Sequence, residues 1–153
     1  MSDDTYLAAL KLLARRELSE AQLRQRLIRR QHDPDAIDAA LLRLKADRSL
    51  DDERVARAIA RSETGLKKRG RYRVSRQIEA AGIAPAIARR VVDETFASID
   101  GDALLAAALE KRLRGRTIIA DEREFNRLYR YLVGQGFEPD RVMALLRTYN
   151  RGT

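Results

Sequence analysis

The three prolines of the chain, Pro34, Pro85 and Pro139, stand at one place in one recurring pattern. Eleven and seven residues before them come the apolar pairs Leu23/Leu27, Val74/Ile78 and Leu128/Leu132. Three and two residues before come Gln31-His32, Gly82-Ile83 and Gly136-Phe137. Three residues after come Ile37, Ala88 and Val142, and seven after come Leu41, Val92 and Leu146. A register that survives proline spacings of 51 and 54 residues predicts three copies of one supersecondary unit, each burying its apolar face on its neighbours. The expected units are 1–48, 49–99 and 100–153. The register is firm for the second and third helices of each unit and looser for the first.

The units should be helical. Leu, Ala and Arg dominate, all of them good helix formers, and no stretch keeps a period-2 alternation. With no Trp and 5% aromatics, the core must be built from Leu, Ile, Val and Ala. The expected fold class is all-α: three tandem three-helix repeats forming an elongated, curved array.

Local signals set the helix ends. In the first unit Tyr6, Leu7, Leu10, Leu13 and Ala14 form the inward stripe of the opening helix. Ser19-Glu20-Ala21-Gln22 reads as a capping box, and the helix it starts carries Leu23, Leu27 and Ile28. Asp33 is the N-cap of a third helix with Pro34 at its first position, where the missing N–H costs nothing. His32, in the apolar slot shared with Ile83 and Phe137, reads as a packing residue. Leu50-Asp51-Asp52-Glu53 opens the second unit with carboxylates where a helix dipole favours them. Val74 and Ile78 mark its second helix, stopped at Gly82. In the third unit a longer connection, 114–120, leads to a second helix capped by Asp121, and Gly136 suits a left-handed helix end.

A formal net charge of +8 favours polyanionic partners. The placement of the cations says more than their number. From Thr64 to Gln77 the chain has Lys67, Lys68, Arg69, Arg71, Arg73 and Arg76 and no acidic residue, with Gly65 and Gly70 to let the joint flex and Tyr72 to add an aromatic face. Lys111, Arg112, Arg114 and Arg116 occupy the matching joint of the third unit. Guanidinium groups suit phosphates through paired hydrogen bonds, and lysines act as point charges. Arg24, Arg26, Arg29 and Arg30 of the first unit fit a solvated helix face equally well.

Catalytic chemistry finds little support. There is no Cys, one His, and no GxSxG, Walker or GxGxxG pattern. Ser62 and Ser75 have no base in an argued geometry. Asp51-Asp52-Glu53 point in different directions from one helix start, and dipole pairing explains them without a metal. The chain reads as a non-enzyme with no cofactor and no metal. Its N-terminus lacks a basic segment followed by an apolar one, and the longest apolar run, 103–109, falls far short of the roughly 18–20 residues a membrane span needs. The expectation is a soluble cytoplasmic monomer without membrane contact.

Four stretches together resemble the RecX regulators of recombinase RecA. They are 13–23 with Leu27; 50–58 around Asp51-Asp52; Gly70-Arg71-Tyr72-Arg73-Val74 with Ile78 and Gly82-Ile83; and Tyr131-Leu132 with Gly136-Phe137. The resemblance spans residues 6–150. Gln31-His32 departs from the usual Gly-apolar pair, Arg48-Ser49 from a Gly-aromatic turn, and Arg71 from a frequent proline. The resemblance implies a modulator lying in the groove of the RecA–single-stranded-DNA filament and limiting filament growth, ATPase, strand exchange and coprotease activity. The basic joints would face filament DNA and acidic filament surface, with weak, non-specific, salt-dependent binding of single-stranded DNA. Two alternatives stay open: a helix-turn-helix-like DNA-binding repressor, against which the heavily apolar third helices speak, and a scaffold without nucleic-acid contact.

Overall fold

The computed structural model describes residues 2–152. Among them the chain forms nine helices in three groups of three. They are α1 (Ser2–Arg15), α2 (Glu20–Arg29) and α3 (Pro34–Ala46); α4 (Asp52–Gly65), α5 (Arg71–Ala80) and α6 (Pro85–Ala97); α7 (Gly101–Leu113), α8 (Glu122–Gly134) and α9 (Pro139–Arg147). Each proline is the first residue of a third helix.

The capping logic is visible atom by atom. Ser19 Oγ accepts from the Gln22 N–H at 3.1 Å, and Gln22 Oε1 accepts from the Ser19 N–H at 3.0 Å. Asp33 accepts from the N–H groups of Asp35 and Ala36, and Asp121 from that of Glu124. Gly82 and Gly136 end their helices at φ +79° and +99°. Gln31 and Arg48 reach φ +64° and +63° without glycine, so the turn geometry holds where the sequence departs from it.

By packing, the described chain falls into two compact units, one comprising the chain through Ala58 with Ile78–Val91, the other Ile59–Gln77 with the chain from Val92 onward. The division passes through α4, α5 and α6. One core of the first unit gathers Leu18, Leu23, Leu27, Ile37, Leu41, Leu44 and Leu50. The second unit's core includes Leu105, Leu109, Leu113, Phe125, Leu128, Leu132, Val142 and Leu146.

Four local readings need correction. The buried stripe of α1 is Thr5, Ala9 and Leu12, rotated from the expected one; Leu7 and Ala14 are exposed, while Tyr6, Leu10 and Leu13 only flank the core. Tyr6 instead donates its hydroxyl to Asp47 and carries the Arg43 guanidinium 3.8 Å above its ring. Ile28 is exposed, one residue past the buried Leu27. His32 is half-buried and polar in role, its Nδ1 lying 2.9 Å from the hydroxyl of buried Thr5. The 114–120 connection contains a short strand, β1 (Ile118–Ile119), paired in parallel with β2 (Asn150–Arg151), and Ile119 is fully buried there.

The joint between successive repeats itself recurs. Ser19 and Gly70 each stand fifteen residues before their proline and just before the second helix of their repeat. Ser19 Oγ donates to the Ala81 carbonyl at 2.5 Å, and the Gly70 N–H donates to the Gln135 carbonyl at 2.9 Å. Both acceptors stand four residues before the next proline. The start of a second helix thus docks on the glycine turn of the following repeat, satisfying a carbonyl that a helix end leaves orphaned.

Candidate functional site

The central basic joint is held from within. Glu63, in the last turn of α4, has its side chain 4% exposed. Arg69 Nη1 donates to both its oxygens, at 3.0 and 3.1 Å, and Lys67 Nζ lies 3.5 Å away. Arg69 Nε also donates to Gln135 Oε1 at 3.3 Å. Arg71 pairs with Asp93 at 2.5 Å. Arg73 and Arg76 donate to the Gly134 carbonyl, each at 3.3 Å, at the negative end of the α8 dipole. The acid-free stretch therefore has countercharge from just outside it. Sequence order hid Asp93, but Glu63 in the turn before the basic run was a readable signal.

Gly70 does not serve as a flexible element. It is buried, and a Cβ there would come within 2.6 Å of the Gly136 carbonyl and 2.8 Å of the Phe137 ring. Its lack of a side chain lets two backbones meet. Arg71 is the first residue of α5, a position that proline tolerates, which accounts for the exchange of the two there. Of the joint's candidate residues, Lys68 has no partner, Lys67 is exposed beyond its Glu63 contact, and Tyr72 is 54% exposed.

The cluster at the end of α7 is more open. Lys111, Arg112 and Arg114 share a shallow pocket of about 340 Å³ with Tyr131, and no carboxylate lines it. The Arg112 guanidinium lies 4.3 Å above the Tyr131 ring, a cation–π contact that fixes its direction while leaving its N–H groups free. Arg114 turns the chain at φ +52°. Lys111 reaches the Leu66 carbonyl at 3.3 Å. Arg116 differs from these. It grips Glu124 with two bonds of 2.9 Å, which hold that carboxyl below its usual range and raise the guanidinium above its own. The sequence reading missed Tyr131 as part of this surface, because only folding brings α8 beside the end of α7.

The family model described as RecX, first three-helix domain, matches residues 6–44. A regulatory protein RecX of Halorhodospira halophila is 35% identical over 137 residues, covering 90% of this chain and 83% of that protein. The chain belongs to the RecX family. A regulatory protein RecX of Syntrophotalea carbinolica is 32% identical and covers 88% of each chain. The fold agrees as well. The crystal structure of RecX from Lactobacillus salivarius superposes with a TM-score of 0.74 at 18% identity, over 96% of this chain and 95% of that one. Among the described residues of this RecX-family chain, no helix is long and apolar enough to cross a membrane.

Proposed function

We propose that this RecX-family chain is a non-catalytic regulator that binds in the groove of the RecA–single-stranded-DNA filament. There it limits filament growth, and with it ATP hydrolysis, strand exchange and coprotease activity. It acts as a cytoplasmic monomer and binds single-stranded DNA weakly, without sequence preference and with strong salt dependence. The observation that carries this reading, beside family membership, is the open Lys111–Arg112–Arg114 pocket against Tyr131, with free guanidinium N–H groups and no lining carboxylate.

The candidate contact residues divide by role. Lys67, Lys68, Tyr72, Lys111, Arg112 and Arg114 offer surface to the filament. Arg73 and Arg76 add charge beside the α8 end. Arg69, Arg71 and Arg116 hold their loops in shape through carboxylates of this chain. The test is DNA-stimulated ATP hydrolysis by the cognate RecA, titrated with this protein. Hydrolysis should fall with added protein, and Arg112→Ala/Arg114→Ala should be a weaker inhibitor with an unchanged melting curve. No effect of the parent protein at any ratio would refute the reading.

A further inference from the structure

We infer that a second nucleic-acid contact lies in the first compact unit, in the groove lined by Arg16, Gln22, Gln25, Arg26 and Arg29. Its ligand is the phosphodiester backbone of a nucleic-acid strand. The inference rests on the preceding reading only in taking nucleic acid as a partner; the contact itself stands on the groove.

The groove holds about 420 Å³. Leu23 and Leu27 bury one face of α2, and a helical period of 3.6 turns Gln22, Gln25 and Arg29 away from it, with Arg26 at its flank. Arg16 joins them from the turn after α1. The side chains of Arg16, Arg26 and Arg29 make no ion pair, hydrogen bond or ring contact among the described residues, in contrast to Arg24, which Asp38 holds at 2.7 Å. Here the charge that the central joint satisfies internally is left open.

Two details select the ligand. The α5 helix ends in this groove, and its negative end would repel a phosphate, but the Ala81 carbonyl is already covered by the Ser19 hydroxyl at 2.5 Å. The Gln22 carbonyl oxygen is likewise taken by the Ser19 N–H, so its amide presents donors. What faces the groove is three guanidinium forks and carboxamide donors, with no carboxylate and no large exposed apolar side chain. A protein partner needs an apolar or aromatic anchor at the centre of its interface. Repeated anionic oxygens need donors and charge, which this groove supplies.

The experiment measures binding of the intact protein to a fluorescent oligothymidine at several salt concentrations, without RecA. Arg16→Ala/Arg26→Ala/Arg29→Ala is compared with Arg61→Ala/Arg89→Ala/Arg147→Ala, which removes the same charge from exposed, unpartnered positions. The groove variant should lose roughly tenfold or more in affinity, and its salt slope should fall by about 2, since each phosphate contact on a single strand contributes about 0.7. The control should lose far less. If the triple variant melts early, Arg26→Ala and Arg29→Ala are measured singly, each expected to weaken binding about threefold. Equal losses in both triples mean that net charge alone acts, and overturn the assignment. Unchanged DNA binding by the groove variant overturns it too; weakened binding of that variant to the RecA filament, measured separately, would then make the partner an acidic protein surface. Because RecA is absent, a groove that fails here leaves the ATPase result standing, and a failed ATPase result leaves the groove standing.

Discussion

Arg69→Ala should destabilise the protein far more than alanine at any other cation of the central basic joint. Its side chain is 20% exposed, and it holds a carboxylate that is 4% exposed. Truncation removes the donor shared between both Glu63 oxygens and the 3.3 Å bond to Gln135. Breaking a fully buried pair from one side costs about 3–5 kcal/mol. Two features lower that figure. Lys67 remains 3.5 Å from Glu63, and water can enter where Arg69 was partly exposed. The expected loss is about 2–3 kcal/mol, or roughly 4–12 °C in melting temperature for a chain of this size.

Urea unfolding followed by far-ultraviolet circular dichroism measures it directly. Arg73→Ala and Arg76→Ala, with exposed contacts of 3.3 Å to a carbonyl, should each cost less than about half a kcal/mol. A double-mutant cycle with Glu63→Gln isolates the pair, and its coupling should exceed about 1 kcal/mol. A loss for Arg69→Ala within about half a kcal/mol of zero would refute the reasoning and return Arg69 to the exposed cations.

Three further outcomes follow from the same structure. Leu27→Ala, Ile78→Ala and Leu132→Ala, each at a fully buried position, should cost about 2–5 kcal/mol in urea unfolding. Gly136→Ala should be among the most destabilising alanine changes, since its Cβ would strike the Arg73 backbone and come within 2.8 Å of the Gly70 carbonyl at φ +99°; Gln31→Gly should be neutral or stabilising in the same assay. Glu124→Gln should destabilise at neutral pH, and the difference should vanish in acid. The Arg116 guanidinium and the Ala120 N–H hold the Glu124 carboxyl below its ordinary 4.5, so its contribution is present above that pH and lost as pH falls through the lowered value.

The proline register was legible because it repeats local rules: an N-cap, a fixed φ and an apolar pair at helical spacing all act within one turn. The same rules located Ser19, Asp33 and Asp121. The α1 stripe was not legible, because Tyr6 and Leu13 look as apolar as Ala9 and Leu12, and only the neighbouring helices decide which side is buried. The β1–β2 pair was hidden for a related reason. Two-residue strands carry no period, and their partners lie some thirty residues apart. At the basic joint charge was legible, and of the groups that satisfy it only Glu63 was. Asp93 reaches Arg71 across 22 residues, and Gln135 reaches Arg69 across 66.

The recurring joint also explains why glycine is needed at two of the three turns and not at the third. At Gly82 an added Cβ would lie 2.5 Å from the Ala21 Cβ, and at Gly136 it would meet the start of α5. Both turns must therefore take a left-handed φ and also receive a neighbouring helix start. The Gln31 turn takes the left-handed φ alone. Its carbonyl and the Arg30 carbonyl, the counterpart of Ala81 and Gln135, accept no backbone bond from another repeat. A side chain at φ +64° costs about 1–2 kcal/mol in backbone strain, which a folded helix pair can sustain. A side chain driven into another backbone cannot be sustained without moving the repeat. The position of Gln31 in an otherwise Gly-apolar slot is thus a consequence of where second helices dock.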